Sequence, residues 1–321
     1  MCDNEALNSS LIAEALKVLY AETEDFLYRN KEIPEISYLE IQQDTWPIIF
    51  LRDYVSRNFP VLIKGGANHF PAVQKWDSQF FMNNYPEKIV TLTVTPNGYA
   101  DGVAQFQEES HFFLPEEVQM KFKDFLTHLK EKRNNYVTYI QQQNSNLTEN
   151  YPELLPDIEE FKWASKAFNK KPDAINFWMG DQRAVSSMHK DPYENIYCVI
   201  DGYKDFILIP PVDLPYVPYE KYLVKRYKHV TPEGFDVEHC SNETIYWISE
   251  NPLIDTHSLA RKYHIRVCKG DVLYLPSLWF HHVRQSHECI AVNYWYDIEY
   301  SDLKYCFYKM LASLCGKSHV V

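Results

Sequence analysis

The first apolar pattern along the chain has roughly the spacing of a helix. Its apolar residues are Leu7, Leu11, Ala15, Leu16, Leu19 and Phe26. Acidic residues occupy the positions between them, so residues 4 to about 31 are predicted to form an amphipathic helix, which Pro34 follows. We expect this helix to pack on the main domain, with a partner or dimer contact as the alternative.

Beyond the helix the pattern changes to short apolar runs that turn residues separate. These runs are rich in β-branched and aromatic residues, as is typical of strands. Strands are predicted within residues 59–66, 88–95, 136–143, 195–200, 203–209, 270–276, 279–285 and 289–296. The pair Asp201-Gly202 lies between two of these runs, and such a pair predicts a two-residue hairpin turn.

Helical spacing returns over 113 to about 132 and over 303–314. Four prolines stand near the start of residues 210–262, so this segment is expected to be an insertion outside regular strands. Many short strands in two clusters predict a mainly β fold with flanking helices, a double-sheet barrel of the jelly-roll or cupin type. We expect an N-terminal helical region (1–45), a barrel domain with the insertion (46–300) and a C-terminal helix (301–321).

Composition narrows the partners of this protein. Aromatic residues make up 15% of the chain, which favours strands and a concave binding site. The formal net charge is -12, which disfavours direct binding to a phosphate backbone and favours a basic protein or peptide as partner.

Cysteine usage and the N-terminal sequence indicate a compartment. The seven cysteines are scattered and include no C-x-x-C pair, as is typical of a reducing environment. The N-terminus lacks the basic and apolar segments of a signal peptide, and no apolar run approaches the roughly 18 residues that span a bilayer. We therefore expect a protein of the cytoplasm or nucleus that does not enter membranes.

The strongest candidate chemistry lies at His189-Lys190-Asp191. Alternate residues of a strand point to the same side, so His189 and Asp191 would present an imidazole and a carboxylate to one cavity. A third ligand must come from another strand, where His281 and His282 point opposite ways and only one can serve. Two histidines and one carboxylate favour Fe(II), since zinc sites more often recruit cysteine or three histidines and Mg²⁺ prefers oxygen.

An isolated His-x-Asp is common, but here further motifs accompany it at set distances. Together they resemble the Jumonji-C (JmjC) 2-oxoglutarate oxygenases. The motifs that carry this resemblance are residues 189–195, Lys204, and residues 270–276, 279–283 and 292–296. Two further segments, 95–101 and 173–178, are similar to lysyl hydroxylases of the small subgroup that includes the asparaginyl hydroxylase of hypoxia-inducible factor. The resemblance extends from about residue 59 to the C-terminus.

The resemblance implies a set of site residues. It makes His189, Asp191 and His281 the Fe(II) ligands, because the first histidine of the pair is the ligand in this subgroup. It makes Lys204 the partner of the distal carboxylate of 2-oxoglutarate, which is the co-substrate together with O2. The remaining 2-oxoglutarate positions are Tyr139, Ser186, Asn195 and Asn293. Ser186 departs from the threonine that is usual there, although the hydroxyl is retained.

The same resemblance implies where a substrate enters. Tyr99 and Asp101 match positions near the entrance, and Asp101 would pair with a substrate lysine; the alternative is that both are turn residues at a strand end. Trp178, Tyr193 and Trp295 would line the pocket, with core packing as the alternative.

The implied activity is a protein hydroxylase acting on C-3 of a lysine, with succinate and CO2 as products. The implied substrate is a developmentally regulated GTP-binding protein. Histone-directed N-methyl demethylation, tail-clipping peptidase activity and partner binding without catalysis are the alternatives.

Overall fold

The computed structural model describes residues 2–29, 31–131, 135–254 and 259–320. Its α-helices are α1 (Cys2–Arg29), α2 (Tyr38–Ile41), α3 (Trp46–Phe50), α4 (Pro71–Lys75), α5 (Ser78–Asn84), α6 (Phe122–Lys130), α7 (Asn146–Glu149), α8 (Lys162–Phe168) and α9 (Leu303–Leu314). A π-helical turn (Leu51–Val55) continues α3, and short 3-10 helices lie at Pro152–Asp157, Pro211–Tyr216 and Ser318–Val320. No helix of the described ranges is long and apolar enough to cross a membrane.

The strands make up the centre of the molecule. Those before residue 190 are β1 (Glu35–Ser37), β2 (Val61–Lys64), β3 (Ile89–Thr95), β4 (Tyr99–Ala100), β5 (Gly102–Phe106), β6 (Glu109–Leu114), β7 (Glu116–Lys121), β8 (Val137–Ile140), β9 (Ala174–Gly180) and β10 (Val185–His189). Those after it are β11 (Tyr193–Asp201), β12 (Tyr203–Ile209), β13 (Tyr219–Thr231), β14 (Gly234–Ile248), β15 (Tyr263–Cys268), β16 (Val272–Leu275), β17 (Phe280–Gln285) and β18 (Cys289–Asp297).

Two main sheets form the barrel, and a third sheet adjoins them. The large sheet has the order β1-β2-β16-β11-β18-β9-β8-β3-β7, and the smaller one has the order β15-β12-β17-β10-β4. The third sheet has the order β14-β13-β6-β5. This arrangement confirms the predicted mainly β, jelly-roll architecture with flanking helices.

Strand β11 shows why the apolar runs are nearly continuous. Ile196 and Cys198 pack into an aromatic core that α3 to α8 cover, whereas Tyr197 and Val199 pack into the core between the two main sheets. Because successive side chains of a strand point to opposite faces, a strand buried on both faces needs an apolar residue at almost every position.

Helices α1 and α9 cover the outer face of the smaller sheet. Leu311 and Ala312 of α9 pack there against Ile207 of that sheet, and Leu16 and Leu19 of α1 pack against the same cluster. The expectation that the N-terminal helix packs on the main domain is therefore confirmed, and α9 has the predicted bounds. The proposed three-region division of the chain stays a prediction.

Three expectations from the sequence were wrong. The helix predicted over 113–132 starts only at Phe122, because residues 116–121 alternate in burial and pair with β3. The insertion at 210–262 is not outside regular strands. The cluster of four prolines at its start ends at residue 218, and the long antiparallel pair β13–β14 follows this cluster.

The predicted hairpin around Asp201-Gly202 is also wrong. Strand β11 pairs with β16 and β18 in the large sheet, and β12 pairs with β15 and β17 in the smaller sheet. The turn, in which Gly202 has a φ of 77°, therefore crosses between sheets. A turn signal reveals that the chain reverses but not which partners the two strands choose.

Candidate active site

One antiparallel strand pair brings the predicted metal ligands together. In the β10–β17 register His189 lies opposite His281, and Asp191 follows two residues after β10. The Nε2 atoms of His189 and His281 lie 3.8 and 3.5 Å from Oδ2 of Asp191. One ligand atom from each of the three lies within 4.8 Å of the others, close enough to share one metal ion.

Backbone carbonyls orient both imidazoles. Nδ1 of His189 lies 2.6 Å from the carbonyl oxygen of Ser187, and Nδ1 of His281 lies 3.0 Å from that of Trp279. A carbonyl can only accept, so each Nδ1 carries the proton and each Nε2 keeps a lone pair for a metal.

The protonation states also fit a divalent cation. Burial, reinforced by His281, lowers the pKa of His189 to about 4. Burial raises the pKa of Asp191, but His189 and His281 outweigh it and bring that pKa to about 2. Near neutral pH the triad thus offers neutral imidazole and an anionic carboxylate, a donor set that suits Fe(II).

The neighbouring His282 is not part of this triad. It is buried but does not line the cavity, and neither of its ring nitrogens has a hydrogen-bond partner in the described parts of the chain. The alternation of β17 therefore places His281 alone on the cavity side.

A cavity of about 660 Å³ contains the triad and continues to a buried lysine. Lys204 is 2% exposed, and its Nζ donates to the hydroxyl of Tyr139 at 2.8 Å and to Oε1 of Gln285 at 2.7 Å. No carboxylate of the described residues forms an ion pair with Lys204, and burial lowers its pKa to about 8. A buried ammonium without a counter-ion is costly, so this end of the cavity favours an anionic ligand.

The other residues predicted for 2-oxoglutarate line the same cavity. Asn293 accepts a hydrogen bond from the indole of Trp178 at 2.7 Å and donates to Oδ1 of Asn195 at 3.1 Å. Ser186 also lines the cavity. Trp178 therefore lies among the residues predicted to bind the co-substrate, where its indole fixes the orientation of the Asn293 amide.

The predicted entrance residues are not all brought to the cavity. Asp101 lines it and has a φ of 53°, in the left-handed region. Burial raises the pKa of Asp101 to about 6; Arg226 opposes this and Glu117 adds to it. Within the described ranges Tyr99 and Tyr193 are not among the lining residues, and Tyr193 stacks on Trp295 with ring centroids 4.6 Å apart.

Sequence reasoning missed several lining groups. Arg226 and Trp247 come from the β13–β14 pair, in the segment expected to be irregular, and Glu117 comes from β7. Gln285 is not among the described lining residues but accepts a hydrogen bond from Lys204, and it carried a usable signal, because it lies four residues after His281 on one strand and so points to the same side. For the others the sequence offers no such signal.

Comparison with known proteins agrees with this geometry. The family model for a cupin-like domain matches residues 47–302. The human "Bifunctional peptidase and (3S)-lysyl hydroxylase JMJD7" is 41% identical over 95% of this chain and 98% of its own length.

Two further relatives cover most of the chain. "JmjC domain-containing protein E" of Dictyostelium discoideum is 35% identical over 91% of each protein. "Lysine-specific demethylase JMJ32" of Arabidopsis thaliana is 34% identical over 85% of each protein. With a cupin-like barrel, a two-histidine, one-carboxylate triad and relatives of this kind, the chain belongs to the cupin-like JmjC family of 2-oxoglutarate-dependent oxygenases.

Proposed function

We propose that this protein is an Fe(II)- and 2-oxoglutarate-dependent lysyl hydroxylase that oxidises C-3 of a lysine in a protein substrate and releases succinate and CO2. The observation that carries the proposal is the presence, in one cavity, of the triad and of Lys204, a buried ammonium without a carboxylate partner among the described residues. The 41% identity to a human protein named as a lysyl hydroxylase supports the choice of lysine.

The residues of the chain have distinct parts in this proposal. His189, Asp191 and His281 would hold Fe(II), which supplies O2 activation and C–H oxidation when it is bound. Lys204 binds the distal carboxylate of 2-oxoglutarate by a charge-assisted hydrogen bond. Tyr139, Ser186, Asn195 and Asn293 offer the remaining hydroxyl and amide groups, which contact carboxylate oxygens without adding charge.

Two carboxylates line the entrance against one cation, Arg226, a balance that favours a cationic side chain of the substrate. Asp101 lines the cavity, and Glu117 is an exposed carboxylate on the same wall. A substrate ammonium beside Asp101 would lower its pKa from about 6 and keep it anionic. As candidate substrate we propose a developmentally regulated GTP-binding protein, on the strength of the sequence resemblance to lysyl hydroxylases.

The test is incubation of the purified protein with Fe(II), 2-oxoglutarate, ascorbate and lysine-containing peptides from such a GTPase. We expect succinate formation with a gain of one oxygen atom on one lysine, located by tandem mass spectrometry. Peptides with arginine in place of that lysine should remain unmodified. Decarboxylation of 2-oxoglutarate without oxidation of any lysine peptide would reject the lysyl assignment while leaving the oxygenase chemistry intact.

The names of the relatives favour two further activities to be measured in the same reactions. One relative is named as a lysine-specific demethylase, so a methylated lysine peptide is included and formaldehyde is measured. The human relative is also named as a peptidase, so shortened peptides are sought. Cleavage that persists when both His189 and His281 are replaced would come from a contaminant.

We also propose that α1 forms a homodimer contact. Leu11 and Val18 of α1 are 61% and 53% exposed and lie two helical turns apart on one face. Replacement of both residues by glutamate should shift the protein from dimer to monomer in sedimentation velocity. A native protein that already sediments as a monomer would contradict the contact.

We further propose that the protein resides in the cytoplasm or nucleus, and imaging of the tagged chain in cells tests this location.

A further inference from the structure

Behind the buried end of the cavity, Lys204 contacts a glutamine amide whose orientation is fixed by its hydrogen-bond partners. Gln285 is 6% exposed and lies opposite Lys204 in the β12–β17 register. Its Nε2 donates to the carbonyl oxygen of Asp181 at 2.8 Å, and its Oε1 accepts from Lys204 Nζ at 2.7 Å. A carbonyl only accepts and an ammonium only donates, so the reverse orientation of this amide would lose both hydrogen bonds.

The amide gives Lys204 an acceptor without cancelling its charge. An ammonium has three N–H donors, and the neutral groups of Tyr139 and Gln285 accept from two of them. The neighbouring Cys289 thiol is also neutral, because burial raises its pKa to about 11. One N–H and the full positive charge therefore remain for a ligand. A glutamate at position 285 would form an internal ion pair instead.

The surroundings hold this amide tightly. Asp181, which accepts from Gln285 through its backbone, is buried, and its carboxylate is bound by Arg183 with the shortest contact at 2.6 Å. A Cβ atom at Gly180 would lie 2.5 Å from Cδ2 of Tyr139 and 3.3 Å from Nε2 of Gln285. The absence of a side chain at Gly180 is what lets Tyr139 and Gln285 both approach Lys204.

We propose that Gln285 is a positioning residue for co-substrate binding, which orients the Lys204 ammonium and keeps its charge available to the carboxylate of 2-oxoglutarate. This inference rests on the proposed function, in which that carboxylate binds at Lys204. Gln285 would act through Lys204 and not by contact with the reacting atoms.

The test compares two substitutions at this position with a remote one. Gln285→Glu preserves shape and adds a charge, and Gln285→Met removes the acceptor; both lose the donor to the Asp181 carbonyl, so that loss is common to the two variants. Gln43→Glu adds the same charge at an exposed position. Binding of 2-oxoglutarate to the Mn(II)-loaded protein is measured by calorimetry, and Mn(II) binding is measured separately. KM for 2-oxoglutarate and kcat are then obtained from succinate formation.

We expect Gln285→Glu to weaken 2-oxoglutarate binding and raise its KM about thirty-fold, since the ion pair removes the charge that the ligand needs. Gln285→Met should weaken it about five-fold, and Gln43→Glu should not change it. Mn(II) affinity and kcat at saturating 2-oxoglutarate should stay within about two-fold, which a general loss of structure would not allow.

Two results would overturn the inference. One is 2-oxoglutarate affinity within about two-fold of the native protein in both variants at position 285. The other is a parallel loss of Mn(II) and 2-oxoglutarate binding, which would mean a merely structural role. If the native protein itself does not bind 2-oxoglutarate, the proposed function fails first, and the two failures are thereby distinguished.

Discussion

Two adjacent histidines of β17 differ in environment because successive residues of a strand face opposite sides. His281 joins the triad, whereas His282 is buried on the other side of the sheet. From the sequence, alternation alone shows that only one of them can be a ligand. The family resemblance implied His281, and the observed register, with His281 opposite His189, places that histidine beside the other two candidate ligands.

We expect His281→Ala to abolish measurable Mn(II) binding, a larger effect than the roughly 10–100-fold loss typical when an outer partner of a ligand is removed. His282→Ala should change the affinity for Mn(II) by less than about ten-fold. Calorimetry or electron paramagnetic resonance measures both. Equal losses in the two variants would contradict the assignment of the third ligand.

If Lys204 binds the co-substrate as proposed, its buried ammonium should make that binding depend on pH. Burial lowers its pKa to about 8 in the free protein, and a bound carboxylate favours the charged form. Affinity for 2-oxoglutarate should therefore be highest below that pKa and should fall as the pH rises above it. The decrease in affinity approaches about ten-fold per pH unit.

Calorimetric titration of the Mn(II)-loaded protein across the range from about pH 7 to 9.5 measures this dependence. Lys204→Met supplies the control, since its weaker affinity should not change over the same range. A native affinity that stays constant throughout would show that Lys204 is not the group that binds the carboxylate.

At the scale of elements, one buried carboxylate connects the C-terminal helix α9 to β11, the strand that follows Asp191. Glu194 of β11 accepts hydrogen bonds from the Tyr274 hydroxyl at 2.6 Å and the Ser277 hydroxyl at 2.8 Å. Lys304, in the first turn of α9, forms an ion pair with the same carboxylate. The side chains of Lys304 and Glu194 are only 20% and 8% exposed, so the pair is shielded from solvent.

Lys304→Met should lower the free energy of unfolding by about 2–4 kcal/mol, because it leaves the Glu194 charge buried and without a cationic partner. Lys309→Met, at an exposed position of the same helix, should change it by less than about 0.5 kcal/mol. Urea denaturation followed by circular dichroism measures both. Similar effects of the two substitutions would mean that the ion pair does not anchor α9.

The local spacing of apolar residues predicted helices and strands well where that spacing fits only one of the two periods. The C-terminal helix over 303–314 and the strands β3 and β8 were found this way. The pattern failed for residues 116–121, because Val118 fits both the helical spacing from Leu114 to Phe122 and the alternation of a strand with Met120. It also failed for β13 and β14, because the prolines that precede Tyr219 suggested irregular structure for the whole segment.

At the scale of the whole molecule, charge sets the conditions for encounter with a basic substrate. The net charge is -12, so the protein attracts a lysine-rich peptide electrostatically. Dissolved salt screens this attraction and shortens its range. The KM for such a peptide should rise about three-fold between roughly 20 and 200 mM salt. A peptide of no net charge is the control, and an equal rise for both peptides would exclude steering by the overall charge.

The architecture as a whole was predictable only in outline. Short strands in two clusters predicted a double-sheet barrel, and the motifs around His189 and Lys204 resembled those of an oxygenase family. Which strands belong to which sheet was not predictable. The sequence of the β11–β12 turn would be the same whether the two strands paired with each other or joined different sheets. The entrance depends on Arg226 of β13 and Glu117 of β7, which belong to different sheets and lie far apart in sequence, so local pattern could not place them in one cavity.

The pairing of β10 with β17 has a consequence for how the protein folds. It joins His189 to His281, about ninety residues apart in sequence, and closing so long a loop costs chain entropy before any contact repays it. Such distant pairings slow folding, so the nascent chain has no metal site until the barrel is nearly complete. A metal ion that binds only the finished barrel adds about 2.7 kcal/mol of stability at one hundred times its Kd. The supply of that metal ion in the cell would thus influence how much of this protein survives quality control.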